Sequence, residues 1–347
     1  MKAHAVRKGD ALPLAGRVLC HDIRDAAGKV AAHKGDVVDD AAAAMIAGLP
    51  WNEIHVLEVE PGDLHEEEAG RRLAASVVGD GVEVKGYTGG QWSLAAARRG
   101  MLRVETELLA RVNALEGISV FTLYTGLPVE AGEVVARAKV TPLVVPATTV
   151  ETIEEWTRGS RGLFSVAAFV PTTIAAVTQE RLDAKQRARF EASLAEKVQW
   201  FGSRLLPVRY ASATPETVAR ELRDLSESGA RILIVAGASA LDPLDPVFSA
   251  LSLIGARMER HGAPAHPGSL LWVARWGERT ILGMPTCGMF SQATTFDLVL
   301  PRLLAGQRVG NQEVAELGHG GLLSKDSAFR FPPYRANAAR GELDQGG

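Results

Sequence analysis

From about residue 163 onward the chain alternates short apolar runs with longer amphipathic stretches. Thr173-Ile174-Ala175-Ala176-Val177-Thr178 reads as a strand, and 180–204 as a long helix. A strand at 206–210 and a helix at 214–228 follow, then Arg231-Ile232-Leu233-Ile234-Val235-Ala236. This last run is apolar without alternation, as a strand buried on both faces requires. A helix at 246–254, strands at 270–275 and 279–282 and a helix at 291–304 close the pattern. Repeated strand–helix–strand units imply a mainly parallel sheet flanked by helices.

The first 165 residues are patterned on a shorter scale. Asp39 and Asp40 can cap an Ala-rich helix at 39–48 that stops at Gly48. Ile54-His55-Val56-Leu57-Glu58-Val59 has β character and is broken by Pro61-Gly62. Asp63 is positioned to open a helix at 64–78, with Leu64, Leu73 and Val77 on one face and Glu66, Glu67, Glu68, Arg71 and Arg72 on the other. Strands are expected at 81–87, 118–124 and 133–145 and a helix at 105–115. The fold class is therefore α/β: a mainly parallel, helix-flanked sheet over 166–306, preceded by a smaller α+β region over 1–165. Residues 307–347 read as a C-terminal extension, aperiodic and polar from about 325, where a mobile tail is expected.

A length of 347 residues calls for more than one core. The 38 Lys and Arg nearly balance the 41 Asp and Glu, so no basic field points to nucleic acid. Two cysteines, Cys20 and Cys287, exclude a disulfide framework and a Cys-rich zinc site. No apolar run approaches the ~18 residues of a membrane span, and the N-terminus lacks the apolar stretch of a secretion signal, so the expected location is cytoplasmic.

Ligands of open α/β sheets bind beyond the carboxyl ends of the strands, which singles out three loops. The first is Ala236-Gly237-Ala238-Ser239-Ala240-Leu241-Asp242-Pro243-Leu244-Asp245-Pro246. Gly237 and Ala238 let backbone amides approach an anion, and Ser239 adds a hydroxyl. Asp242 and Asp245 have two readings: Mg²⁺ ligands, or N-caps, since either Asp-Pro pair can start a helix. The second is His261-Gly262-Ala263-Pro264-Ala265-His266-Pro267-Gly268-Ser269, too poor in ligands for zinc but with His266 as a candidate hydrogen-bond donor. The third is Gly283-Met284-Pro285-Thr286-Cys287-Gly288-Met289-Phe290-Ser291, whose amides and Ser291 would meet a phosphate at a helix N-terminus. Cys287 lacks a recognisable base and reads as a small hydrophobe. Together the loops describe an anionic small-molecule site without naming the molecule.

These residues resemble the molybdopterin-binding family. Ala236-Gly237-Ala238-Ser239-Ala240 with Asp242 and Asp245 is similar to its Gly-Gly-x-Ser signature and downstream aspartate. Pro267-Gly268-Ser269 resembles its Pro-Gly-Lys turn, and Gly283-Met284-Pro285-Thr286 through Phe296-Asp297-Leu298-Val299-Leu300-Pro301 its Gly-Leu-Pro-Gly-Asn loop and closing helix. The segment 12–23 is similar to the opening of molybdopterin molybdotransferases. Pro61-Gly62-Asp63-Leu64-His65-Glu66-Glu67-Glu68-Ala69 looks like a stretch of a divergent branch, sometimes fused to a cytidylyltransferase-like domain whose glycine-rich motif is missing here. Three departures stand out. Ser269 replaces the family's lysine, Ala238 its second glycine, and Thr286-Cys287-Gly288 its Gly-Asn loop.

The resemblance implies the molybdopterin-binding fold over 166–306 and a pterin ligand from molybdenum cofactor biosynthesis or handling. Its implied cradle is Gly237, Ala238, Ser239, His266, Pro267, Gly268, Ser269, Pro285, Thr286, Gly288 and Ser291. Three functions follow as expectations. One is binding of molybdopterin or its adenylylated form, favoured by the lost lysine. Another is a molybdotransferase that inserts molybdate with Mg²⁺-dependent pyrophosphate cleavage, Asp242 and Asp245 serving as metal and catalytic residues. The third is a non-catalytic scaffold. By analogy the chain would form a homodimer and meet other molybdenum cofactor proteins, with no nucleic-acid or membrane partner.

Overall fold

The computed structural model describes residues 2–179, 181–238, 240–290 and 293–334. The chain forms two compact units: residues 1–98, 102–125 and 130–166 make the first, and 99–101, 126–129 and the chain from 167 onward the second. No helix among the described residues is long and apolar enough to cross a membrane.

In the first unit, strands Lys2–Arg7, Glu53–Glu58 and Arg17–Leu19 form an antiparallel sheet around Val6, Leu19, Ile46, Ile54 and Val56. The Ala-rich helix spans Asp40–Ala47; the Asp39 carboxylate accepts the Ala42 amide at 2.7 Å. The next helix begins later than expected. Asp63–His65 pairs with Val144–Pro146 as a strand, so the cap moves to His65 and the helix runs Glu66–Val77. The expected strand 133–145 is accordingly two strands, Val134–Val140 and Val144–Pro146. The helix expected at 105–115 runs Thr106–Asn113. Strand Gln91–Ala96 and helix Ala147–Thr157 are not among the expected elements. The helix is rich in β-branched residues, and its buried Val150 and Ile153 are fixed by packing against Glu66–Val77 rather than by propensity.

The second unit is a seven-stranded sheet with helices on both faces. In chain order it contains β1 (Thr173–Thr178), α1 (Ala184–Trp200), β2 (Arg204–Leu205), β3 (Arg209–Tyr210), α2 (Pro215–Glu227) and β4 (Ile232–Ala236). There follow α3 (Pro246–Leu253), β5 (Arg257–His261), β6 (Trp272–Trp276), β7 (Arg279–Met284), α4 (Thr286–Phe290) and α5 (Thr295–Leu304). The order across the sheet is β2–β1–β4–β7–β6–β5, with β3 also paired to β1. β1 is parallel to β2, β3 and β4, and β4 to β7, whereas β7–β6 and β6–β5 are antiparallel. The sheet is therefore mixed: its four parallel pairings bear out the expected parallel sheet in part, and the two antiparallel pairings of β6 depart from it. The missing element was β5, whose Arg-Met-Glu-Arg-His sequence at the sheet edge has neither an apolar run nor clean alternation.

The unbroken apolar run of β4 follows from its central place. Ile232, Ile234 and Ala236 face a core built with Phe190, Leu194 and Val198 of α1 and Phe296, Val299 and Leu300 of α5. Leu233 and Val235 face the opposite core, with Val218, Leu222 and Leu225 of α2 and Val247 and Leu251 of α3. Each such side chain taken fully from water contributes about 1.5–3 kcal/mol before entropy is subtracted. The C-terminal region is no separate extension as far as residue 334. Val309, Val314, Leu317, Leu323, Phe331 and Tyr334 all join the α1–α5 core, and 325–330 forms a 3₁₀ turn. The mobile tail expected from 325 is corrected for 325–334; the rest of that expectation lies outside the described residues.

Candidate functional site

All three loops leave one edge of the sheet. Thr178, Ala236 and Met284, the last residues of β1, β4 and β7, stand in register. The antiparallel strands bring the second loop to the same edge, because Gly283 pairs with Trp272 and Trp272 with His261. From β1 the chain first goes to β2 and β3 on one side, then crosses to β4 on the other. Sheets of this kind take ligands at such a reversal, beyond the carboxyl ends of the strands; here Gln179 and Gly237-Ala238 follow β1 and β4 at that point.

Specific contacts knit the loops together. The Gly237 amide donates to Met284 O at 3.2 Å, joining the first loop to the third. A ring nitrogen of His261, Nε2, lies 2.6 Å from Ala240 O, and the ring packs 5.1 Å from Phe248, joining the second to the first. Thr295 joins the third to the second: its amide donates to Pro267 O at 3.0 Å and its hydroxyl to Ala265 O at 3.0 Å. Two glycines permit these approaches. Gly268 has φ +109°, and a β-carbon there would meet the Thr295 amide at 2.8 Å. At Gly283 a β-carbon would overlap the buried Trp272 ring.

The two aspartates of the first loop have distinct roles. Asp245 is the N-cap of α3; its Oδ1 accepts the Val247 amide at 3.0 Å, and its two oxygens accept the Gln179 amide nitrogen at 3.0 and 3.2 Å. Asp242 is exposed and closes a turn by accepting the Leu244 amide at 2.9 Å. Among the described residues no group of three His, Cys, Asp or Glu side chains is arranged to hold a metal ion. Gln179 was not anticipated, although its position directly after β1 is the one that the carboxyl-end rule selects. Its Oε1 is buried without a hydrogen-bond partner.

The remaining cradle residues divide by burial. Gly268, Pro285 and Gly288 are buried, Gly237, Ala238, Pro267 and Ser269 half-buried, and Thr286 and His266 exposed. The His266 backbone is engaged on both sides, its amide to Gly321 O and its carbonyl to the Leu323 amide, each at 2.8 Å. Ser239 and Ser291 lie outside the described residues. The helix start expected at 291 is instead divided: α4 ends at Phe290 and α5 begins at Thr295. Its first donors are occupied. Asp297 Oδ2 accepts the Thr294 amide and hydroxyl, both at 3.0 Å, and the Thr295 amide goes to Pro267. A phosphate at this helix start would have to displace protein acceptors. Nor do residues 236–246, 261–269 and 283–290 contain a Lys or Arg to neutralise one.

Behind α5 lies a buried polar cluster. Lys197 Nζ of α1 is 2.7 Å from Asp297 Oδ1, with both side chains essentially inaccessible to solvent. The Tyr334 hydroxyl donates to the same oxygen at 3.0 Å. Burial and the neighbouring Asp297 charge push the Tyr334 phenol well above its usual range, so it stays a donor. A cavity of about 670 Å³ opens beside this cluster, lined by Arg189, Ser193, Glu196, Trp200, Phe290 and Tyr334. It follows the outer face of α1 and includes no residue of the first or second loop.

No protein-family model matches the chain, and no curated protein does. Among solved structures it is similar to a molybdopterin biosynthesis MoeA protein from Pyrococcus horikosii. The identity is 13%, over 70% of this chain and 79% of that one, with a TM-score of 0.30. A molybdenum cofactor biosynthesis protein from Pyrococcus furiosus is 12% identical over 88% of this chain, which spans only 65% of that one, with a TM-score of 0.27. Molybdenum cofactor biosynthesis protein B is 12% identical over 44% of this chain and 94% of that one, with a TM-score of 0.26. Overlaps this loose fix neither family nor activity, which leaves the site itself as the basis for function.

Proposed function

We propose that the second unit binds the pterin moiety of molybdopterin, or of its adenylylated form, in the crevice beyond β1, β4 and β7. One observation carries this reading. The three segments that resemble the molybdopterin-binding signature, far apart in sequence, emerge at one edge of the sheet and bond to one another. The polar groups there suit a planar, nitrogen-rich ring: Gln179 offers a buried carbonyl oxygen with no hydrogen-bond partner.

Binding is favoured over molybdate insertion. Asp245 already caps α3 and holds Gln179, Asp242 closes its own turn, and the three loops hold no cation for a pyrophosphate. Ser269, where the family resemblance expects lysine, belongs to the same deficit. Mg²⁺, nucleotide cleavage and a partner that receives the pterin remain parts of the alternative, catalytic reading.

The test is titration of purified protein with molybdopterin and with its adenylylated form, with and without Mg²⁺ and molybdate, following nucleotide release. Saturable binding without AMP release is the expected result. AMP release that is lost in Asp245→Ala would make the chain a transferase. Absence of binding by either form would overturn the proposal.

A further inference from the structure

We propose that the segment 321–334 is a strap belonging to the pterin site, and that Tyr334 is a positioning residue coupling its docking to the second and third loops. This inference rests on the function proposed above as far as the ligand is concerned; the coupling itself does not.

The strap grips the site at two places. At its start it lies against the second loop, where His266 exchanges backbone hydrogen bonds with Gly321 and Leu323. The approach needs glycine, because a β-carbon on Gly321 would overlap the carbonyl oxygens of Pro264 and Leu317. At its end Tyr334 reaches Asp297, whose Oδ1 also meets Lys197 and whose Oδ2 holds Thr294. The next residue, Thr295, carries the hydrogen bonds to Ala265 and Pro267. One carboxylate thus links the strap, α1, the start of α5 and the cradle turn at Gly268. Leu323 and Phe331 bury the stretch between the two grips in the α1–α5 core.

A buried carboxylate has its orientation set by its donors, since each unmatched oxygen in a low-dielectric interior is unfavourable. Removing the Tyr334 hydroxyl leaves Lys197 and Thr294 to hold Asp297 alone and frees the strap's far end. The start of α5 then gains freedom, and with it the Pro267-Gly268 turn. Linkage makes the effect reciprocal: a pterin that needs those loops ordered will also favour the docked strap.

The experiment compares wild type, Tyr334→Phe and Gly321→Ala by molybdopterin titration and by backbone amide hydrogen exchange. In both variants the dissociation constant is expected to rise about tenfold, within the usual range for coupled sites. Exchange at His266, Thr295 and Leu323 is expected to quicken while Leu233 and Ile234 in β4 keep wild-type rates, which a general loss of stability would not allow. Bound molybdopterin should slow exchange at Leu323 in the wild type. Affinity and local exchange unchanged in both variants would overturn the proposal, as would a uniform acceleration that includes β4. If wild type binds no pterin, the functional reading fails, and the exchange measurement alone then decides the coupling by the same two outcomes.

Discussion

Asp245 and Asp297 solve one problem in two settings. Each stands where a loop at the carboxyl edge of the sheet turns into a helix, and each carboxylate takes a backbone amide. Asp245 adds the neutral carboxamide of Gln179, whereas Asp297 adds a lysine ammonium and a phenol. The two settings give different consequences. Asp245 ties the start of α3 to the residue that follows β1. Behind α5, Asp297 is neutralised by a buried cation and becomes part of the framework. Helix capping alone does not separate the two aspartates; their remaining partners, Gln179 for one and Lys197 and Tyr334 for the other, do.

The largest effect should come from breaking the buried pair. Lys197→Met should lower stability by about 3–5 kcal/mol, because Asp297 would stay buried without its cation. Adding Asp297→Asn should restore much of that loss, and denaturant unfolding of the single and double variants would measure it. A loss within about 1 kcal/mol for the single variant would show that Lys197 does not neutralise Asp297 in the core.

A smaller change is expected at the joint between loops. Gly268→Ala places a methyl against the Thr295 amide at a positive φ, so a loss of about 1–3 kcal/mol is expected. Thermal unfolding would read it, and wild-type stability would contradict the tight approach. Asp245→Ala should remove a helix cap and lower stability by only about 1 kcal/mol. Its molybdopterin affinity should fall at least about tenfold, or about 1.4 kcal/mol, which would separate crevice from framework. Equal affinity with equal stability would show that Asp245 does neither job.

The finest contrast lies in pH. The Tyr334 phenol is raised in the folded chain above the value of about 10 that it has when unfolded. Its contribution is fully present below pH ~10 and is lost as pH rises through the folded value, because the unfolded chain gives up its proton first. Stability of the wild type should therefore fall more steeply above pH ~10 than that of Tyr334→Phe. Matching slopes in alkaline denaturation would remove Tyr334 from the buried cluster.

Much of the second unit was legible before folding. The apolar run of β4 announces a strand covered on both faces, and Asp-Pro in the first loop announces a helix start; packing selects Asp245 of the two candidates for that start. Strand β5 escaped because its residues are those of a polar edge, held by pairing with β6 rather than by an apolar pattern. Lys197 escaped for a related reason. In an amphipathic helix a lysine reads as solvent-facing, and nothing local reveals an aspartate 100 residues later waiting for it. Polar, aperiodic 325–334 read as a tail, although Phe331 and Tyr334 within it are core residues.

By itself the sequence determined what depends on short-range order: the strand–helix alternation, the glycines at the turns, the capping acids and the three loops with their small residues. Tertiary structure alone decided which loops meet, which aspartate caps α3 and which meets a lysine in the core. It also decided that residues 309–334 complete the second unit's core. The division is physical, since period and propensity act over a few residues, whereas a charge's partner and a strand's neighbour are chosen by burial across the whole fold.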